Sequence, residues 1–441
     1  MTQENKNNPY WTAYQIPPHS RHFPAVERTK TACMRFFKRI DGYYFLLAIG
    51  MMGMFWCLHL LIGGGYADPT FYNTYTRQAM AWRQGLLHLP QDFPWLELAV
   101  YPQVFEDGTL LTQQASYYVS FPPLPSLVLL PLTYIFGENT PDNLLVKLYG
   151  LIGCFAIYAS LKKAGNSRPA AAMLSFLITT ASSALPMMMN GAVWYHAQML
   201  AFMLMCLSVM LMLKDMPTGS LFLYALAVAC RPFDALYGPL LYFLYLRTHR
   251  DQPFKKSALR LLPGTVMGLC VAAGLAWYNW ARFGDVLEFG HNYLPEFSFQ
   301  GGIQFSPDHV KNHIKTFLLG SPLSENHDGS YSFNSFGYSL FLACPAITLM
   351  LVQAVCDLFR KRFSLVKLAI LLFAAVHLFL LLMHRTFGGY QLGARYVVDI
   401  VPYAVMYFSL CKEEKGRNAI FVTLLFTVLI FTVVGFTFVH I

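Results

Sequence analysis

The chain has 441 residues, of which 56% are hydrophobic, 16% aromatic and only 12% charged. Soluble domains are about one quarter charged, so this composition excludes a soluble globular protein and points to a polytopic membrane protein. The net charge of +9 does not indicate nucleic-acid binding, because the basic residues follow membrane topology. Residues 1–42, 162–168, 247–260, 360–367 and 412–417, with Lys214, hold 23 of the 32 Lys and Arg residues. The stretches 64–120 and 281–335 are both net negative. By the positive-inside rule the first set faces the cytoplasm and the second faces out.

In chain order, residues 1–42 read as a cytoplasmic amino-terminal tail, and 43–441 as a single transmembrane domain with outer loops at 64–120 and 281–335. The apolar run 43–63 is long enough to cross about 30 Å of hydrocarbon and exceeds the apolar core of a signal peptide, so it reads as an uncleaved anchor. The outer loop that follows opens with Gly64-Gly65-Tyr66-Ala67-Asp68-Pro69. Flexible backbone there can set the Asp68 carboxylate close to the bilayer, where it can take a proton from a hydroxyl nucleophile; the plainer alternative is an Asp-Pro turn. Residues 72–84 space Tyr72, Tyr75, Ala79 and Trp82 at near-helical intervals, which predicts an amphipathic helix on the membrane surface.

Two apolar segments, 121–136 and 143–161, precede the cations at 162–168. Two full crossings would put those cations on the wrong face. The proline-rich 121–136 segment is therefore expected to be interfacial or re-entrant, bordering a cavity, since irregular backbone at membrane depth needs shielding. Further spans are expected near 169–186, 193–213, 218–232, 234–247, 261–280, 336–357, 365–384, 396–411 and 419–440, about eleven crossings in an all-α fold with the amino terminus inside. The pair flanking Arg231-Pro232 is too short for two full crossings at 1.5 Å per residue, so either the bilayer thins there or that dipeptide sits in a recess.

Ionisable residues inside spans are costly and usually face a cavity or a partner. Lys147, Arg231, Asp234, His377 and Asp399 are such residues. Lys147 lies near a span end, where it can snorkel; Arg231 and Asp234 are spaced for an internal ion pair. The stretch His384–Tyr396 contains Arg385 and Arg395, no acid, and three glycines. A guanidinium at a helix mouth grips a phosphate with two parallel hydrogen bonds, or anchors a lipid headgroup. The run from Trp277 through Tyr293 and the turn Trp194-Tyr195-His196-Ala197-Gln198 mix aromatic faces with amide and carboxylate groups, suiting a sugar or an interfacial aromatic belt. The nine cysteines avoid both outer loops, so no disulfide framework is implied. Paired cysteines with ligand spacing and Asp-x-Asp are absent from the outer loops, so no metal ligands are assigned and no cofactor is expected.

Asp68, the Tyr118-Val119-Ser120-Phe121-Pro122-Pro123-Leu124 entry, the Tyr278-Asn279…Arg282-Phe283-Gly284…Glu288-Phe289-Gly290 run and Gly393-Ala394-Arg395-Tyr396…Asp399…Pro402 occur in an order that resembles the GT-C superfamily of membrane glycosyltransferases. Within it, the pattern looks like the bacterial branch related to protein O-mannosyltransferases and lipid A aminoarabinose transferases. The resemblance implies transfer of a sugar, with inversion, from a polyprenyl-phosphate carrier to an acceptor hydroxyl on the non-cytoplasmic face of the plasma membrane. The acceptor is a saccharide, a lipid or a protein. It casts Asp68 as the base, Arg395 as the main phosphate clamp and Arg231 as a secondary one. Tyr66, Tyr118, Pro122, Pro123, Tyr195, His196, Asn279, Glu288, His291 and Tyr396 are then expected to line the sugar cavity. Many members of the superfamily have two adjacent acids in the first loop, whereas Pro69 follows Asp68 here. The competing class is a flippase or exporter of a lipid-linked saccharide; transporters commonly show matched halves, and the large first outer loop has no counterpart of that kind.

Overall fold

The computed structural model describes residues 41–106, 109–111, 114–299, 304–386, 388–389 and 391–440. The amino-terminal tail expected over 1–42 lies outside these residues except for its last two. The chain is a helical, multi-pass membrane protein. Among the described residues, six helices are long and apolar enough to cross a bilayer: Gly42–Ile62, Asp142–Lys163, Val193–Leu213, Phe254–Phe283, Leu365–Leu382 and Lys415–His440. Asp142–Lys163 and Val193–Leu213 form the buried central pair. Gly153 allows their close approach, because a methyl group there would meet Phe202 at 2.6 Å, while Gly150 leaves room for Met188. Small residues at such crossings are how helices pack where lipid removes the hydrophobic drive.

Several expected spans are broken. The 169–186 segment forms two helices, Arg168–Thr180 and Ala184–Met189, separated at Ala181-Ser182-Ser183. The 396–411 segment is a 3-10 turn, Arg395–Ile400, followed by Val401–Phe408. Residues 336–357 divide into Leu340–Ala343 and Pro345–Phe359, where Pro345 cannot supply a helical N–H. The freed backbone groups find partners in one another. Ser183 N–H donates to the Ala343 carbonyl at 2.8 Å, and Ser183 Oγ accepts from Ala394 N–H at 3.0 Å. The segments expected as spans on either side of Arg231-Pro232 are the 12-residue helices Pro217–Val228 and Tyr237–Thr248, each about 18 Å long and too short to cross the bilayer alone.

Residues 121–136 contain the 13-residue helix Leu124–Phe136, too short to cross. It packs instead against Thr74–Trp82, the helix expected over 72–84. Ser126 Oγ donates to Gln78 Oε1 at 2.5 Å, and Gln78 Nε2 donates to the Tyr278 hydroxyl at 2.7 Å. The first loop thereby holds the end of Phe254–Phe283. Among the described residues, three short antiparallel pairs lie in the two long loops: β1 (Leu98–Tyr101) with β4 (Ser116–Val119), β2 (Val104–Glu106) with β3 (Thr109–Leu111), and β5 (Leu323–Glu325) with β6 (Tyr331–Phe333). Period-two segments this short were not separable from loop in the sequence.

The ends of the bundle differ in chemistry. At one end the long loops gather. At the other, Asp215 bridges Arg260 at 3.0 Å, Glu414 binds Arg360 and Arg362, and Glu413 accepts from Ser167 at 2.7 Å. Residues from the 162–168, 360–367 and 412–417 clusters thus meet through Ser167, Arg360, Arg362 and the acids at 413 and 414. Beneath them Lys367 Nζ meets Asp357 Oδ2 at 2.6 Å, in a buried pair completed by Gln353 and Tyr407.

Candidate active site

The long loops enclose a cavity of about 770 Å³, lined by residues from the first loop, the Phe121-Pro122 entry, the Asn190–Ala197 turn, the Arg231–Phe233 turn, residues 287–305 and the 384–396 segment. Its position follows from packing. Tyr75, Ala79, Leu89, Phe93, Leu96, Leu98, Val119, Leu129, Val193 and Ala197 form one apolar cluster that fastens the first loop to Leu124–Phe136 and Val193–Leu213. Leu96 and Leu98 are both buried in it. Glu97, between them, lines the cavity.

Glu97 Oε2 accepts the indole N–H of Trp194 at 2.7 Å. Burial raises the Glu97 pKa above the ordinary carboxylate range, against the opposing effects of the Trp194 hydrogen bond and the Arg395 charge. Glu288 also lines the cavity, and its oxygens accept from Gly290 N–H at 2.5 Å and Asn292 Nδ2 at 2.7 Å. His291 packs edge-on against Phe121 with ring centres 5.1 Å apart, and burial lowers its pKa to about 4, so the ring is neutral at physiological pH.

Two guanidinium groups reach the cavity in different states. Arg231 is paired with Asp399, through Nη2 at 2.6 Å and Nε at 3.1 Å to Oδ2, not with Asp234 as the spacing suggested. A turn brings Asp399 opposite Arg231, whereas the Arg231 carbonyl accepts the Asp234 N–H within the local backbone. Arg395 is only 6% exposed. Its Nε donates to the Gly388 carbonyl at 2.7 Å, while Nη1 is buried with no hydrogen-bond partner among the described residues. The Tyr396 ring lies under both cations, 4.8 Å from Arg395 and 5.4 Å from Arg231. A buried, unpartnered charged N–H is costly, and at a cavity wall it is a ready partner for an anion.

Of the residues singled out in the sequence, Arg395, Arg231, Pro122, Tyr195, Glu288, His291 and Tyr396 line this cavity. Asp68, Tyr66, Tyr118, Pro123, His196 and Asn279 are not among its lining residues. Asp68 is exposed. Its N–H closes a turn onto the Gly65 carbonyl at 3.5 Å, and its carboxylate lies back over Gly65, the geometry of the Asp-Pro turn. It remains near the margin, because Thr70, two residues on, donates its hydroxyl to the cavity residue Asn190 at 3.0 Å. Tyr66 packs beside His59 and Trp56, and its carbonyl accepts from Lys147 Nζ at 3.1 Å. Lys147 is fully buried and does not snorkel. His196 is buried against Tyr149 and Tyr75. Tyr118 packs on Phe283. Asn279 accepts from Arg282 Nη2 at 3.0 Å, and Arg282 Nη1 donates to the Val119 carbonyl at 2.7 Å. These side chains hold the walls rather than form them.

Glu97 escaped the sequence reading because nothing local distinguishes it. The signal available was a carboxylate between two leucines in Trp95-Leu96-Glu97-Leu98, a charge embedded in an apolar run. Glu296 was missed for the same reason and lines the same cavity. Among the described residues, no group of three or more His, Cys, Asp or Glu side chains gathers at metal-binding distance.

The chain shares its fold with solved membrane-protein structures. Among solved structures, the chain is similar to the Archaeoglobus fulgidus oligosaccharyltransferase in its apo form, with 11% identity over 91% of this chain and 56% of that one, at a TM-score of 0.51. The same enzyme tethered to an acceptor peptide containing an NVT sequon matches at 11% identity, 91% and 55% coverage and a TM-score of 0.50. ArnT from Cupriavidus metallidurans bound to undecaprenyl phosphate matches at 15% identity, 82% and 60% coverage and a TM-score of 0.46. The chain thus spans little more than half the length of the oligosaccharyltransferase. No protein-family model and no curated protein matches the sequence.

Proposed function

We propose that the chain is a membrane glycosyltransferase that moves a sugar from a polyprenyl-phosphate carrier to an acceptor hydroxyl in the cavity between its long loops. The observation that carries this reading is the pairing, in one cavity, of a buried uncompensated guanidinium, Arg395, with a carboxylate of raised pKa, Glu97. The shared fold supports it. The acceptor hydroxyl attacks the anomeric carbon and gives its proton to Glu97. The bond from that carbon to the phosphate oxygen breaks, the electron pair goes to the phosphate, and Arg395 holds the charge that develops there. A phosphate is already a competent leaving group, so one base, one cation and alignment supply the catalysis.

Attack from the face opposite the phosphate inverts the anomeric centre. Glu97 takes the base role that the sequence pattern gave to Asp68, because Glu97 is the first-loop acid on the cavity wall. The distribution of basic residues supports an extracytoplasmic cavity in a plasma membrane. Aromatic side chains of Trp194, Tyr195 and Tyr396 offer faces for a sugar.

The test is turnover by the purified protein in liposomes supplied with a panel of polyprenyl-phosphate sugars, read as release of free polyprenyl phosphate. Wild-type protein is expected to release carrier from at least one donor, and Arg395→Ala to lose that release. Release from none of them by folded wild-type protein with acceptor present, or undiminished release by Arg395→Ala, overturns the reading.

A further inference from the structure

The two cavity arginines are wired together behind the wall. Asp399, whose side chain is 3% exposed, receives Arg231 on one oxygen and Gln198 Nε2 at 2.7 Å on the other. The same Gln198 nitrogen donates to the Arg395 carbonyl at 2.8 Å, and the Tyr237 hydroxyl donates to the Asp399 carbonyl at 2.7 Å. One buried amide therefore spans from the backbone of the unpaired arginine to the counter-ion of the paired one. Arg231 presents its remaining edge to the cavity with its charge already matched; Arg395 presents a charge with no match.

We propose that Asp399 is a positioning residue that closes off Arg231, so that the carrier phosphate is gripped by Arg395 alone and departs once the sugar has moved. This inference rests on the reading of the cavity as a lipid-phosphate site. Its physical basis is the growth of charge during the reaction. A phosphodiester donor carries one negative charge, whereas the freed phosphomonoester carries up to two, so the product binds a pair of open guanidinium groups more tightly than the substrate does. Two unmatched arginines would hold the product, and product release limits many well-evolved enzymes. Asp399 lowers the cavity's positive potential by one charge without removing the arginine that shapes the wall beside Tyr396. Gln198 fixes the spacing of the two.

The experiment measures binding of farnesyl phosphate, a soluble short-chain polyprenyl phosphate, to the full chain in lipid nanodiscs. Asp399→Asn opens Arg231 and is expected to bind farnesyl phosphate roughly tenfold more tightly, the weight of about one charge-assisted hydrogen bond. Its turnover is expected to show kcat and KM falling together. The double variant Asp399→Asn with Arg231→Gln restores a matched neutral pair, keeps the shape, and is expected to bind within about threefold of wild type. Unchanged or weaker binding by folded Asp399→Asn overturns the inference. Should that variant not fold, the double variant decides: a tenfold loss of affinity would mean that Arg231 itself grips the phosphate. Wild-type protein that does not bind farnesyl phosphate would instead refute the lipid-phosphate reading, separately from the role of Asp399.

Discussion

The Trp194 indole N–H donates to the Glu97 carboxylate at 2.7 Å, joining the Val193–Leu213 helix to the first long loop inside the cavity. This bond fixes which way the acid faces and opposes the effect of burial on its proton affinity. The activity ascribed to the cavity therefore depends on both residues in separable ways.

Removing the carboxylate is the direct test of the base. Glu97→Gln keeps the size and the hydrogen-bond acceptor, yet cannot take a proton. Transfer is expected to fall by about 10²-fold or more, the usual weight of a positioned general base. Asp68→Asn is expected to cost far less, since that carboxylate is exposed at a turn. Steady-state rates of carrier release check both, and a reversed order would return the base role to Asp68.

A pH profile tests the hydrogen bond itself. A base works only when ionised, so kcat/KM should fall as pH drops through the raised pKa of Glu97. The Trp194 bond holds that pKa down against burial. Trp194→Phe removes the donor and leaves an apolar ring, so the acidic limb should move to higher pH. A limb that stays in place or moves to lower pH would show that Glu97 is not the titrating group.

The wall clamp makes a prediction about stability. Asn279 and Arg282 hold the end of Phe254–Phe283 against the Val119 carbonyl. Asn279→Leu leaves the Val286 carbonyl and one guanidinium nitrogen without their partner and should destabilise the folded protein by about 1–3 kcal/mol. Thermal unfolding in detergent measures this, and an unchanged midpoint would remove Asn279 from the framework of the site.

A methyl group at Gly191 should be more damaging. Its Cβ would lie 2.6 Å from the Asp142 carbonyl carbon, and backbone there cannot swing aside as a side chain could. Gly191→Ala is expected to cost about 1–3 kcal/mol by overpacking and to weaken turnover by moving the adjacent Asn190. Expression level and thermal midpoint check the first effect; carrier release checks the second.

The long apolar helices were legible because twenty consecutive hydrophobic residues leave little choice in a bilayer. Charge placement divides the hydrophilic segments into two sets for the same reason: Lys and Arg are expensive to translocate. Arg231 was legible as an ionisable group in apolar surroundings, and Arg395 as a guanidinium in a glycine-rich stretch that carries no acid. What could not be read is what depends on contacts distant in sequence. Arg231 is bound by Asp399 and not by Asp234, because the turn at Arg395–Ile400 delivers the former across the bundle. The breaks at Ser183 and Cys344 were hidden, since an apolar run looks alike whether helical throughout or interrupted. Asp68 was expected at the cavity because a glycine-rich approach suggests reach, and Glu97 was overlooked because burial between two leucines is visible only in three dimensions.

The meeting of Ser183, Ala343 and Ala394 bears on how the protein is made. Strands of peptide synthesised at widely separated moments settle one another's main-chain groups there, and Arg395 follows directly. A chain interrupted before Ala394 would hold most of its helices yet own no enclosed chamber.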